Sequence, residues 1–258
     1  MTDTQRVLSE EATEAFDHGW LFPAQVEHFA ELSRFGRDEA FRLLDVGGGS
    51  GLFAEALRER FPRCSVTILD LSAKSIAKAE GRGITAVLGS ILDPPPELSA
   101  ERFDVVVFNM ILHHLVGDSD EATERNQKQA LRVARGLLNK GGRVIFNEYC
   151  YSGFVRDGLS GRLIYEITSS KALADVIGFV GRLFPNHLAA NTVGVGVRFR
   201  PLCEWTRIGV ESGLVLERTI DGPSDTPSFV RRILLLIREV RRSSAAFVLQ
   251  EPPCTNGS

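Results

Sequence analysis

The 258 residues are 43% hydrophobic and 24% charged, the balance of a soluble globular chain, and they suffice for one large domain or one domain with an elaborated lid. A formal net charge of −3 and a pI near 6.0 give no global field that would draw the chain onto nucleic acid or an anionic membrane. Cys64, Cys150, Cys203 and Cys254 lie far apart with no CxxC pair, so no metal site is expected. The acidic leader MTDTQRVLSEEATEAF lacks the apolar core of a secretory signal, and no apolar run is long enough to span a bilayer, so a cytoplasmic protein is expected.

From Phe41 to Tyr149 short apolar runs alternate with amphipathic stretches, the rhythm of parallel strands joined by helices. RLLDV (42–46) reads as the first strand and ends at a glycine cluster. Leu52 to Phe61 reads as a helix with Phe53, Leu57 and Phe61 on one face, stopped by Pro62. SVTILD (65–70) is the second strand. Ser72 is placed to cap the next helix, which runs to about Gly81. ITAVL (84–88) and FDVVVF (103–108) are the third and fourth strands. A helix from about Glu121 to Leu138 is expected to end at Lys140-Gly141-Gly142, before a fifth strand RVIFNE (143–148). Beyond Tyr149 the rhythm changes. Residues 151–200 carry one long helical pattern and then the glycine-spaced VGVGVRF, and read as an insertion over the sheet edge, a lid with hinges at Gly194 and Gly196. Pro201 to Gly213 is a further helix, and 214–220 and 244–250 are final strands. Between these strands, Arg231 to Arg242 is basic and apolar, and its period does not decide between helix and strand.

The strongest local signal is Asp45-Val46-Gly47-Gly48-Gly49-Ser50-Gly51, between a strand and a helix. Glycines there let the backbone turn sharply and approach a ligand where a β-carbon would collide. The helix that follows offers free N–H groups at its start. Three features agree with it. Asp70 closes the second strand, where a carboxylate can accept both hydroxyls of a ribose. Gly89-Ser90-Ile91 follows the third strand and can flank a base. Asn109 ends the fourth strand, near the switch point of the sheet. A dinucleotide fingerprint requires a third glycine at the position held by Leu52, so a nicotinamide-binding dehydrogenase is disfavoured.

LLDVGGGSG, ILD, LGSILD, FDVVVFNMILHHL and LLNKGGRVIFNE, in this order over roughly Phe41 to Tyr149, resemble the successive motifs of class I S-adenosylmethionine-dependent methyltransferases. The resemblance implies a doubly wound, mostly parallel seven-stranded α/β sheet with a helical lid insertion before the last helix and strands. With the change of rhythm after Tyr149, the chain reads as an N-terminal helical cap (1–40), a cofactor-binding core (41–149), the lid (150–200) and a C-terminal completion of the sheet (201–258). S-adenosylmethionine is the implied cofactor. By position, Asp45, Gly47, Gly49 and Gly51 cradle its methionine part, with Asp45 orienting the amino acid end. Asp70 with Leu71 holds the ribose, Ser90 with Ile91 flanks the adenine, and Asn109 lies beside the site.

Methyl transfer to a protonated O–H or N–H acceptor benefits from a base near the ends of the fourth and fifth strands. His113 and His114 follow Asn109, and LHHL partly resembles the base-carrying segment of small-molecule O-methyltransferases, which aligns with His113. If that segment is helical the two rings point about 100° apart, so one of them faces the pocket. Glu148, ending the fifth strand, is either a substrate contact and reserve base or an anchoring acid. Trp20, Tyr151, Tyr165 and Arg198 are candidate substrate contacts, an arginine being able to clamp a carboxylate. DNA-base methylation is disfavoured, because Asn109-Met110-Ile111-Leu112 lacks the Pro-Pro-Tyr sequence that chemistry uses, and Asp93-Pro94-Pro95-Pro96 precedes the fourth strand as a surface turn. The expectation is a methyltransferase for a small-molecule OH or NH, or carbon, acceptor. A cyclase or lyase using the same cofactor and a non-catalytic binding module are the alternatives.

Overall fold

The computed structural model describes residues 5–7, 23–170 and 194–249. Helix α1 (Pro23–Ser33) precedes β1 (Phe41–Val46), α2 (Leu52–Arg60), β2 (Cys64–Asp70), α3 (Ala73–Gly81), β3 (Thr85–Leu88), the short α4 (Pro96–Ser99) and β4 (Phe103–Asn109). A 3-10 turn (Leu112–His114) then leads to α5 (Asp120–Gly136), β5 (Leu138–Gly153), α6 (Leu159–Ser169), α7 (Leu202–Glu211), β6 (Leu214–Asp225), α8 (Phe229–Leu234) and β7 (Ile237–Leu249). The strands make one seven-stranded sheet in the order β3-β2-β1-β4-β5-β7-β6 among the described residues. β1 to β5 run parallel, whereas β7 is antiparallel to both β5 and β6. The direction of connection reverses between β1 and β4, which opens a crevice at their carboxyl ends.

Strand side chains alternate between two cores. Leu43, Ile68, Val105, Val107, Ile145 and Ala246 face α1, α2 and α3. Leu44, Leu69, Val106, Phe108, Phe146 and Phe247 face α4, α5 and α7, where Trp205 is fully buried. With both faces covered, the parallel strands read as continuous apolar runs, as they must. A smaller cluster of Ile164, Val197, Leu235, Ile237 and Val240 lies where α6 packs beyond the sheet proper.

The expected strands β1 to β4 and the helices between them are present, and the Ser72 hydroxyl accepts from the Ser75 N–H as a cap. Four details differ. Helix α5 ends at Gly136 instead of reaching Leu138, because Leu138 pairs with Phe103 and already belongs to β5. β5 extends to Gly153 because β7 supplies partners along its length, so Tyr151 is a strand residue, not part of an insertion. β6 and β7 are likewise longer than their sequence patterns suggest, held by each other. The stretch Arg231–Arg242 divides: its start is helical in α8 and its remainder enters β7. Within the expected lid, residues 150–170, which include the end of β5 and α6, and residues 194–200 are described. Trp20 and residues 171–193 lie outside the described residues.

Phe29 fastens α1 to the sheet from the centre of an aromatic cluster, 6.4 Å from Phe41, 6.2 Å from Phe53 and 6.0 Å from Phe61 between ring centroids. It is wholly buried. Phe29→Ala is expected to cost about 3–5 kcal/mol. Urea unfolding checks this, and a loss below about 1 kcal/mol would mean that α1 is not part of the cooperative core.

Candidate active site

The site is built at the carboxyl ends of β1, β2, β4 and β5. Where β1 ends, the chain reverses through Gly47 (φ 71°) and Gly51 (φ 85°), both in the left-handed region that favours glycine. The Gly47 N–H donates to the Leu69 carbonyl at 2.7 Å, which ties the loop to β2. A β-carbon on Gly47 would lie 2.5 Å from Ile111, so the first obstacle there is the protein's own side chain rather than a ligand. Asp70, half-buried at the end of β2, accepts from the Gly49 N–H at 3.0 Å and from the Ser72 N–H at 2.8 Å. Gly89 donates to the Asp70 carbonyl at 2.9 Å, so the loop after β3 is joined to the same strand end. There Ser90 bonds Gln5 at 3.0 Å, Ile91 is buried, and Leu71 is largely exposed.

Asp45 sits beneath this loop, fully buried, with neither carboxylate oxygen hydrogen-bonded among the described residues. Burial first, and the neighbouring Asp70 carboxylate second, push its acid up to about 7. An uncompensated buried carboxylate is costly and marks a place where a cationic group would be stabilised.

A second cluster forms where β4 meets β5. Asn109 and Asn147 are register partners, and the Asn147 amide donates to Asn109 at 3.1 Å. Met110 follows with φ 61°, a left-handed conformation uncommon outside glycine, and its N–H donates to the Asn147 carbonyl at 2.9 Å. This sharp turn sends the chain into the 3-10 turn that carries the histidines. Glu148, 1% exposed, accepts from the Leu112 N–H at 2.7 Å through one oxygen, and its other oxygen lies 2.6 Å from His113 Nδ1. The His113 ring stacks on Phe199 at 4.6 Å and lies 4.2 Å from the His114 ring. Burial, and then His113, hold the His114 imidazole well below its ordinary value, so it stays neutral. A small open cleft beside this cluster is lined in part by His28, Met110, Asn147, Glu148, Arg242 and Ser244.

The expected glycine loop, Asp70, Asn109, His113 and Glu148 thus gather at one edge of the sheet. The expected substrate contacts do not all face it. Arg198, 4% exposed, is committed to Asp120 at 2.6 Å and to two carbonyls, which corrects its reading as a free clamp. The Tyr165 hydroxyl donates to the Gly117 carbonyl at 2.8 Å. Tyr151 stacks on Phe199, and burial pushes its phenol up to about 12, too high for a base at neutral pH. Met110, Gln127, Asn147, Phe199 and Arg200 belong to the site's surroundings but carry no sequence signal. Only the parallel pairing of β4 with β5 and the fold of 198–200 onto the 3-10 turn bring them there.

Residues 44–144 match the family described as methyltransferase domain. The trans-aconitate 2-methyltransferase of Mycobacterium tuberculosis (strain ATCC 25177 / H37Ra) is 39% identical over 93 residues, 36% of this chain and 34% of that protein. The strychnine O-methyltransferase of Strychnos nux-vomica is 33% identical over 117 residues, 45% of this chain and 30% of that protein. The matched stretch therefore spans about a third of each relative. The N-methyltransferase NodS from Bradyrhizobium japonicum WM9, solved with S-adenosyl-L-homocysteine, shares the fold at TM-score 0.50 and 18% identity over 93% of this chain and 88% of its own. Over residues 44–144 this chain is similar to a methyltransferase domain, and S-adenosylmethionine is the cofactor that this similarity supports. The residues present fit the cofactor. The unsatisfied Asp45 carboxylate matches a cationic amino acid end, and the left-handed glycine loop and Asp70 surround the adjoining space.

Because Asp45 is raised from 3.8 to about 7, the native state keeps a proton that the unfolded chain has already released between those values. Its contribution to stability is complete below the unfolded value and is lost as pH rises through about 7. Asp45→Asn removes this dependence. The thermal midpoint of ligand-free Asp45→Asn should gain on wild type between about pH 5 and pH 8, while its affinity for S-adenosylhomocysteine falls at least about tenfold, or about 1.4 kcal/mol. A midpoint difference that stays constant with pH would show that Asp45 is already compensated.

Proposed function

We propose that the whole chain is an S-adenosylmethionine-dependent methyltransferase acting on a small molecule through an ionisable O–H or N–H, with His113 as general base and Glu148 as its orienting acid. The observation that carries this reading is the 2.6 Å contact between His113 Nδ1 and the buried Glu148 carboxylate, at the strand ends beside the cofactor loop. When bound, the cofactor supplies an electrophilic methyl group and leaves as its neutral thioether. Everything else falls to the protein. Glu148 accepts the Nδ1 proton of His113, which leaves Nε2 with a free lone pair able to take the acceptor's proton. The same carboxylate stabilises the imidazolium that results. Phe199 limits water around the ring, and His114, kept neutral by burial, adds no competing charge.

In the cofactor half, Asp45 and the glycine loop bind and orient the amino acid end, Asp70 with Leu71 holds the ribose, and Ser90 with Ile91 borders the base. Asn109, joined to Asn147, fixes the strand end between the two halves. The relatives act, by their names, on a carboxylic acid and on an alkaloid oxygen, and the fold neighbour on nitrogen. Their likeness in sequence covers 36% and 45% of this chain, so the acceptor has to be found by experiment.

A metabolite screen for methyl transfer, read by mass, identifies the acceptor. With it, His113→Ala is expected to lower turnover by about 10²–10⁴-fold with nearly unchanged cofactor affinity. Glu148→Gln should lower turnover at least about tenfold, because its amide NH₂ can donate to Nδ1 and so favour the wrong tautomer. Full turnover in a folded His113→Ala enzyme would remove the base. Release of methylthioadenosine without methylated product would favour lyase chemistry instead.

A further inference from the structure

The 3-10 turn that carries His113 is held at more points than a surface turn of three residues requires. Its Leu112 N–H is taken by Glu148. The Leu112 carbonyl accepts from the Gln127 side-chain amide at 3.1 Å, and the His113 carbonyl accepts from the Arg198 N–H at 2.9 Å. Gln127 is wholly buried in α5, and its amide oxygen in turn accepts from Arg200 Nε at 2.7 Å. Arg200 is 2% exposed, bonds Glu204 at 2.9 Å, and has its guanidinium 5.9 Å from the Trp205 ring centroid. Phe199, between the two arginines, stacks on His113 and, at 4.6 Å, on Tyr151. Three consecutive residues, Arg198, Phe199 and Arg200, therefore reach the histidine turn by a backbone N–H, a ring face and a side-chain relay. The Tyr151 N–H donates to the Arg200 carbonyl at 3.3 Å, which lays this segment along β5.

We infer that Gln127 and Arg200 are positioning residues for His113: the relay Arg200–Gln127–Leu112 carbonyl fixes the turn so that the imidazole meets Glu148 through Nδ1. The inference rests on the reading of His113 as the base. Gln127 performs two tasks with two different atoms, accepting from Arg200 through oxygen and donating to the turn through nitrogen. A merely structural role, satisfying a buried arginine, needs only the oxygen. A positioning role needs the nitrogen as well. Burying an arginine is costly unless its donors are met, so the oxygen's task alone could explain why Gln127 is there. The two tasks must be separated by substitution.

Gln127→Glu separates them. A carboxylate keeps and strengthens the bond from Arg200 but has no donor for the Leu112 carbonyl, which it faces with a lone pair instead. Gln127→Met removes both. In protein carrying ¹⁵N-labelled histidine, wild-type His113 should show the nitrogen pattern of the Nδ1-protonated tautomer. In Gln127→Glu that pattern should give way to a mixture of tautomers although the thermal midpoint stays near wild type. Turnover should drop about tenfold or more with KM and S-adenosylhomocysteine affinity little changed, since small misplacements of a reacting group are expensive. Arg200→Lys, which retains the charge but not the reach, should do the same to a lesser degree. An unaltered His113 pattern in folded Gln127→Glu would overturn the positioning role, whatever the turnover. Full activity of His113→Ala would overturn the base assignment, while the nitrogen pattern still tests the relay independently, so the two failures are distinguishable. If Gln127→Glu also fails to fold, Arg200→Lys read by the same nitrogen pattern decides.

Discussion

The buried carboxylate of Glu148 is the constraint around which the histidine turn and the ends of β4 and β5 are arranged. Ending up 1% exposed on a central strand, it must be met by donors, and the chain supplies a backbone N–H from Leu112 and a ring nitrogen from His113. Both come from one short turn, so that turn has to approach β5 closely. It does so through the left-handed Met110, whose N–H is held by Asn147 one residue before Glu148. A local conformational cost at Met110 is thus offset by satisfying a charge that would otherwise be stranded in the core.

Two carboxylates on the same sheet edge are treated in opposite ways. Glu148 has its partners within the protein, whereas Asp45 has none among the described residues and is raised to about 7 by burial and then by the Asp70 carboxylate. One acid therefore holds a protein group in a fixed orientation, and the other is left uncompensated among the described residues. The match to the methyltransferase family ends at residue 144. It includes Asp45 and His113 and stops short of Glu148, Phe199 and Arg200.

The parts of this design that are legible in the sequence are those with a local signature. The glycine loop, Asp70 after an apolar run and the Ser72 cap each announce themselves within a few residues, because turn geometry and capping are local physics. The apolar rhythm of β1 to β4 is equally readable, since strands buried on both faces need apolar side chains throughout. What the sequence hides is set by distant partners. β5 reads as ending at Glu148, and only the antiparallel β7 extends it to Gly153. Arg198 looks like any exposed cation until Asp120, on a helix 78 residues earlier, takes it up. Gln127 reads as one more polar residue of α5, and nothing near it in the chain indicates that it faces Leu112 and Arg200.

The placement of β7 has a consequence for how the chain comes to be folded. Among the described residues, β6 is hydrogen-bonded to β7 alone, and the outer edge of β5 is closed by β7 alone. During synthesis from the amino end, a nascent chain that has emerged as far as α8 holds its parallel half with the long β5 edge unpaired, and β6 has no strand to join. Such an edge is a template for pairing with other chains. The interval between emergence of Leu214 and that of Leu249 is therefore the window in which this protein is most exposed to aggregation, and the last described strand acts as the closing piece of the sheet.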